Sequence, residues 1–178
     1  MKLNNEEINR YSRHLTLPEV GMAGQLKMKE AKVLMIGAGG LGSPLGMYLG
    51  AVGVGKLGLV DFDVVDHTNL HRQIAHASAD EGRSKVDSLR DTILAGNPNI
   101  EVEVYNIRLE RKNVLELFQQ YDIIADGSDN FETRYLINDA AYFTKKPLVS
   151  ASIFRFQGQI TIFAPKSGGP CYRCIYSE

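Results

Sequence analysis

Apolar runs of four or five residues recur along this chain, separated by longer stretches in which apolar side chains return every third or fourth position. Lys32-Val33-Leu34-Met35-Ile36, Lys56-Leu57-Gly58-Leu59-Val60, Tyr121-Asp122-Ile123-Ile124-Ala125 and Pro147-Leu148-Val149-Ser150-Ala151 predict buried strands. Ile100-Glu101-Val102-Glu103-Val104 alternates and predicts a half-buried one. Between them the helical period predicts helices over 41–52, 85–96, 114–118 and 131–143. In the first of these, Pro44 suits the opening turn, and Gly42, Gly46 and Gly50 form a bare face expected to lie tightly on a sheet, in a buried helix. Ahead of the first strand, Asn5 is expected to cap a helix that carries Glu6 and Glu7 in its first turn and runs to Leu17, before Pro18; a shorter helix follows over 22–29. Near the other end, Phe154-Arg155-Phe156 and Gln159-Ile160-Thr161-Ile162-Phe163 flank Gln157-Gly158, which suits an antiparallel pair or a bulged long strand. Alternating strands and helices specify an α/β fold: a Rossmann-like, doubly wound, mostly parallel mixed sheet with an N-terminal helical extension over residues 1–30.

Composition narrows the class. With 178 residues, 44% of them hydrophobic, the chain is the size of one domain with a substantial core, 1–178. A net charge of -1 offers no basic excess for nucleic acid. Neither a signal-peptide core nor an apolar run of membrane-spanning length occurs, so a soluble, cytoplasmic protein is expected, with no membrane partner. Cys171 and Cys174, the two cysteines, stand too close together to staple a fold and point to chemistry or metal.

The chemistry begins at Gly37-Ala38-Gly39-Gly40-Leu41-Gly42, which follows one strand, opens a helix, and precedes a second strand ending in Asp61-Phe62-Asp63. In that geometry backbone N–H groups at a helix N-terminus meet a phosphate, and the acid meets a ribose. A nucleotide site follows, with Gly37, Gly39, Gly40, Gly42, Asp61 and Asp63 as its first candidates, although the same spacing also suits the dinucleotide site of an NAD(P)-dependent dehydrogenase. The loop Asp66-His67-Thr68-Asn69-Leu70-His71-Arg72-Gln73 gathers polar groups, with Thr68, Asn69, Arg72 and Gln73 as candidates, at the carboxyl edge of the sheet. Arg72, with Lys85 opening the next helix, sets two cations where a triphosphate would lie. In Asp126-Gly127-Ser128-Asp129-Asn130, Ser128, Asp129 or Asn130 is expected to cap a helix, while Asp129 offers the single carboxylate that Mg²⁺ needs beside phosphate oxygens. Cys171-Tyr172-Arg173-Cys174 reads better as half of a zinc site than as a redox pair, and none of His14, His67, His71 and His76 is spaced to complete it.

These residues, together with Tyr11-Ser12-Arg13-His14, fall in the order and spacing of the MoeB/ThiF enzymes, which the chain resembles over essentially its whole length, and which themselves resemble the adenylation domain of ubiquitin-activating enzymes. The resemblance implies an adenylyltransferase that joins the C-terminal Gly-Gly carboxylate of a ubiquitin-like sulfur-carrier protein to AMP and expels pyrophosphate from ATP. It implies that Asp61 holds the ribose, that Asn69, Arg72 and Lys85 contact phosphates, that Gly40 lies under the nucleotide, and that Asp129 serves Mg²⁺, with Asn130 beside it among the cofactor-binding residues. Arg13 is implied to act in trans within a homodimer, and Cys171 and Cys174 to bind Zn²⁺ with a second pair lying downstream in the family; this chain ends at Glu178 and is expected to be part of a longer protein. A sulfurtransferase or cysteine desulfurase is an implied partner, in molybdenum-cofactor, thiamine or tRNA-thiolation chemistry. A non-catalytic nucleotide-binding partner subunit is the reading outside the enzymes.

Overall fold

The computed structural model describes residues 2–177. Six strands, β1 (Lys32–Ile36), β2 (Lys56–Val60), β3 (Glu101–Tyr105), β4 (Ile123–Asp126), β5 (Leu148–Phe154) and β6 (Gln157–Phe163), form one sheet in the order β3-β2-β1-β4-β5-β6. All neighbours are parallel except β5 and β6. The order reverses between β1 and β4, so the crevice at their carboxyl ends is the place where such sheets bind ligands.

Alternation along each strand divides the core in two. Val33, Met35, Leu57 and Leu59 point to the face covered by α4 (Gly42–Ala51) and α5 (Lys85–Gly96), where Val86, Leu89 and Ile93 meet them. Leu34, Ile36, Val60 and Ile124 point to the opposite face, under α6 (Val114–Gln119) and α7 (Phe131–Thr144). The glycine face of α4 takes a different partner from the one expected. Ile93 and Leu89 of α5 crowd Gly46 and Gly50, with only Met35 reaching Gly46 from the sheet, so these glycines seat helix on helix. The helix is also only partly buried, with Tyr48 in solvent.

At the N-terminus the cap is Asn4 rather than Asn5. Its side chain accepts from the Glu7 amide while the Glu7 carboxylate accepts from the Asn4 amide, a reciprocal capping box. The expected single helix is broken at Tyr11 into α1 (Asn5–Arg10) and α2 (Ser12–Leu15). The break lets Tyr11 turn inward, where its hydroxyl accepts from the buried Asn97 side chain at 2.8 Å. α3 (Gly21–Glu30) then leads into β1, and buried Glu7 pairs with Lys29 of α3 at 2.6 Å. β5 and β6 form a hairpin whose two-residue turn is Arg155-Phe156, since Phe154 pairs with Gln157; Gln157-Gly158 lies inside β6. Arg155 adopts φ +56° there, a position that glycine or asparagine normally takes, so the turn lies where the sequence carries no turn residue.

Candidate functional site

A cavity of about 500 Å³ opens over the carboxyl ends of β1, β2 and β4. Its floor is the glycine turn: Gly37, with φ +95°, then Gly39 and Gly40 ahead of α4. Gly42 is not in the wall, but a Cβ there would stand 1.9 Å from the Gly37 carbonyl oxygen, so no other residue fits the turn. No side chain caps α4, and among the described residues the amides of Gly39 and Gly40 meet no protein acceptor. Donors left over at a helix N-terminus suit a phosphate.

Asp61 braces this floor as well as lining the cavity. Its carboxylate accepts from the Ala38 amide at 2.8 Å and from the Asp63 amide at 2.9 Å, tying the end of β2 to the turn after β1. Asp63 in turn pairs with Lys85 at 2.8 Å, and Lys85, the first residue of α5, is only 6% exposed. The loop between β2 and α5 is held by Asp66, which accepts from the Thr68 amide, in a short turn of 3₁₀ helix over His67–Asn69. Thr68 and Asn69 stand outside the cavity wall; Asn69 Oδ1 instead accepts from Arg72 Nη2 at 2.7 Å and from Gln73 Nε2 at 3.3 Å, aiming two residues that do line it. The far wall is the loop after β4, with Ser128, Asp129 and Asn130, and of these Asn130 is the helix cap, accepting from the Thr133 amide at 2.9 Å. Arg72, Lys85, Arg108 and Arg134 thus face Asp61, Asp63 and Asp129 across one space, a charge set matched to an anion that carries a divalent cation.

Several residues of this site carried no sequence signal. Buried His76 accepts from or donates to Ser88 Oγ at 2.8 Å through Nδ1 and donates from Nε2 to the Ala38 carbonyl at 3.0 Å, stiffening the glycine turn. Phe62, Ile107, Arg108 and Leu109 also line the cavity, with the Arg108 guanidinium 6.0 Å from the Phe62 ring, and Ile153 reaches it from the hairpin. Asp126, at the end of β4, is 3% exposed, and burial pushes its carboxyl pKa up despite hydrogen bonds from Ser128 and Ser150.

Two groups of predicted residues lie elsewhere. Arg13 is exposed on α2, away from the cavity wall. Cys171 occupies the N-cap position of α8 (Tyr172–Ile175) and Cys174 lies within it; the helix is docked on α7 by a forked Arg173–Asp139 pair and by Asn138, whose side chain accepts from the Tyr172 amide at 2.8 Å. Burial opposes ionisation of Cys171, but hydrogen bonds from Cys174, Asn138 and the Arg173 amide outweigh it and hold the thiol below its ordinary pKa. The two Sγ atoms are 3.7 Å apart. Two sulfurs each about 2.3 Å from a tetrahedral zinc ion would be about 3.8 Å apart, so the pair fits half of such a site. No cluster of three or more His, Cys, Asp or Glu completes one among the described residues.

An open, mostly parallel sheet with a glycine turn at its switch point, an acid at the end of β2 and cations around the crevice defines a Rossmann-like nucleotide-binding domain. The profile of the ThiF family matches residues 11–178, and the chain belongs to that family. It is 55% identical, over 99% of its length, to a probable adenylyltransferase/sulfurtransferase MoeZ of Mycobacterium tuberculosis, of which it spans 46%. It is 51% identical, over 98% of its length, to the adenylyltransferase and sulfurtransferase MOCS3 of Danio rerio, of which it spans 38%. Among solved structures, PaaA superposes with a TM-score of 0.85 at 26% identity, covering 99% of this chain and 57% of that one. E. coli MccB with ATP superposes with a TM-score of 0.83 at 27% identity, covering 96% and 52%. The chain therefore spans less than half the length of these curated relatives. Among the described residues no helix is long and apolar enough to cross a membrane.

Proposed function

We propose that this domain adenylates the C-terminal glycine carboxylate of a ubiquitin-like sulfur-carrier protein, releasing pyrophosphate from ATP. The observation that carries the reading is the convergence of Arg72, Lys85 and Asp129 on a cavity floored by an uncapped glycine turn. The names of the relatives, adenylyltransferases in both cases, and the ATP-bound MccB structure support it.

The attacking carboxylate is ionised at neutral pH and needs no general base, so the task is positioning and charge neutralisation. The amides of Gly39 and Gly40 would receive phosphate oxygens, and Asp61 would hold the ribose. Arg72, aimed by Asn69, and Lys85, a compact charge at the start of α5, draw charge from the α-phosphate as it is attacked and from the departing pyrophosphate. Lys85 is held by Asp63 until an anion competes for it. Asp129 would hold Mg²⁺, which would supply positive charge against the phosphates. Arg13, outside this cavity, is assigned to the site of a second subunit in a homodimer, and Cys171 and Cys174 to a structural Zn²⁺ whose other ligands are not among the described residues. Delivery of sulfur to the adenylate would fall to a sulfurtransferase or cysteine desulfurase, in molybdenum-cofactor, thiamine or tRNA-thiolation chemistry. Hydride transfer to a nicotinamide is not favoured, because it calls for neither the paired cations nor Asp129.

Carrier-dependent exchange of labelled pyrophosphate into ATP tests the reading. Lys85→Ala and Asp129→Ala are each expected to lower exchange by at least about a hundredfold, the scale of losing a charge-stabilising group, with the fold retained. Normal exchange in both variants would remove the assignment, and nucleotide binding without any exchange in the parent would favour a non-catalytic partner subunit.

A further inference from the structure

Ser128 immediately precedes Asp129, and side chains take both of its backbone groups. Its amide donates to Asp126 Oδ1 at 2.9 Å. Its carbonyl accepts from Arg134 at two atoms, Nε at 3.2 Å and Nη2 at 2.9 Å. Each gripping side chain is itself fixed. Asp126 is buried at the end of β4, and its Oδ2 accepts from Ser150 Oγ of β5 at 3.4 Å. Arg134 lies in the second turn of α7 with its guanidinium 5.5 Å from the Phe131 ring. On the other side of Asp129, Asn130 is pinned as the cap of α7. Asp129 therefore sits between two anchored residues, its own carboxylate lining the cavity and, among the described residues, accepting one long contact, 3.4 Å, from Asn130 Nδ2.

Closing the turn into α7 needs only the Asn130 cap. Two further charged side chains committed to one residue, one of them buried, are costly to desolvate and are more than a turn requires. A ligand that must be held to within about half an ångström does require such support.

We propose that Asp126 and Arg134 are positioning residues, a two-sided clamp on Ser128 that fixes where Asp129 presents its carboxylate to a nucleotide-bound divalent cation. The proposal rests on the reading of Asp129 given above, and its test separates the two. In the nucleotide-free protein, hydrogen exchange at the Ser128 amide, which donates to Asp126, reports the clamp directly. Arg134→Lys keeps the charge but loses the fork, and Asp126→Ala loses the acceptor; each is expected to speed exchange there about tenfold, and only there. Asp126→Asn keeps an oxygen acceptor and is expected to stay within about threefold of the parent. Calorimetry of ATP with and without Mg²⁺ supplies the second readout: the affinity gained from Mg²⁺ should shrink about tenfold in Arg134→Lys and Asp126→Ala and persist in Asp126→Asn. Parent-like exchange in both Arg134→Lys and Asp126→Ala, or faster exchange with the full Mg²⁺ gain retained, would overturn the clamp. An Asp129→Asn variant with an unchanged Mg²⁺ gain would instead overturn the cation role of Asp129, leaving the exchange data to decide the clamp alone.

Discussion

Asp126 keeps an ionisable group where water does not reach, and the direction of its pKa shift fixes how it acts on stability. Burial raises the pKa in the folded chain above its ordinary value. The folded state thus holds this proton more tightly than the unfolded state, and ionising Asp126 costs stability. That cost is absent below the ordinary carboxylate range, about pH 4, grows as pH rises, and is complete above the folded-state pKa. Asp126→Asn removes it. The variant is expected to unfold at higher urea concentration than the parent at neutral pH, with the two curves converging in acid; an Asn variant less stable at neutral pH would contradict this account. The same residue shows why parts of the site were not legible in the sequence. Asp126 reads as one more acid in a capping loop until β5 brings Ser150 to it from 24 positions away, and His76 meets Ala38 across 38. The glycine turn, Asp61, Lys85 and Asp129 were legible because their meaning depends on a local strand–turn–helix order. Arg134, Phe62 and Ile107 gain theirs only when the sheet closes.

Elements were legible where period and turn chemistry agree, as for β1, β2, α5 and α7. They were misread where tertiary contacts override local preference. The break at Tyr11 is one case: a continuous helix would satisfy its own backbone, but the fold turns Tyr11 inward onto Asn97. Asn97 Nδ2 also donates to the Gly50 carbonyl at 2.8 Å, so one side chain ties the N-terminal helices to α4 from the end of α5. Asn97→Ala is expected to cost about 2 kcal/mol by leaving buried partners unpaired. Limited proteolysis should then cut within the first twenty residues sooner than in the parent, with cleavage elsewhere lagging. Equal cleavage rates would mean that the Glu7–Lys29 pair and the core contacts of Tyr11 hold this segment without Asn97.

At the scale of the whole molecule, the hairpin leaves an apolar face uncovered. Ile160 and Ile162 of β6, across from Ala151 and Val149 of β5, are mostly exposed, on the same face as exposed Ile153. An edge strand with such a face is prone to self-association. Ile160→Thr with Ile162→Thr should raise the concentration at which light scattering first detects aggregates, while the thermal midpoint stays within about 2 °C, as for other surface changes. Thiol placement gives a second expectation for this chain: two sulfurs fill half a tetrahedral shell, so zinc should be stripped readily by a chelator. Stoichiometric, chelator-resistant zinc would require ligands that the described residues do not supply.

The floor of the cavity has a consequence for anyone wishing to change which nucleotide is accepted. A Cβ on Gly42 would collide with the Gly37 carbonyl, and one on Gly37 would lie 3.1 Å from the carbonyl oxygen of Gly127, so main chain rests on main chain across the β1–β4 junction. A side chain at Gly42 would have to displace backbone, and one at Gly37 would have to hold φ +95°, which L residues rarely adopt. Changes to what the cavity admits are better sought where side chains rather than backbone line it, as at Phe62, Ile107, Arg108 and Leu109.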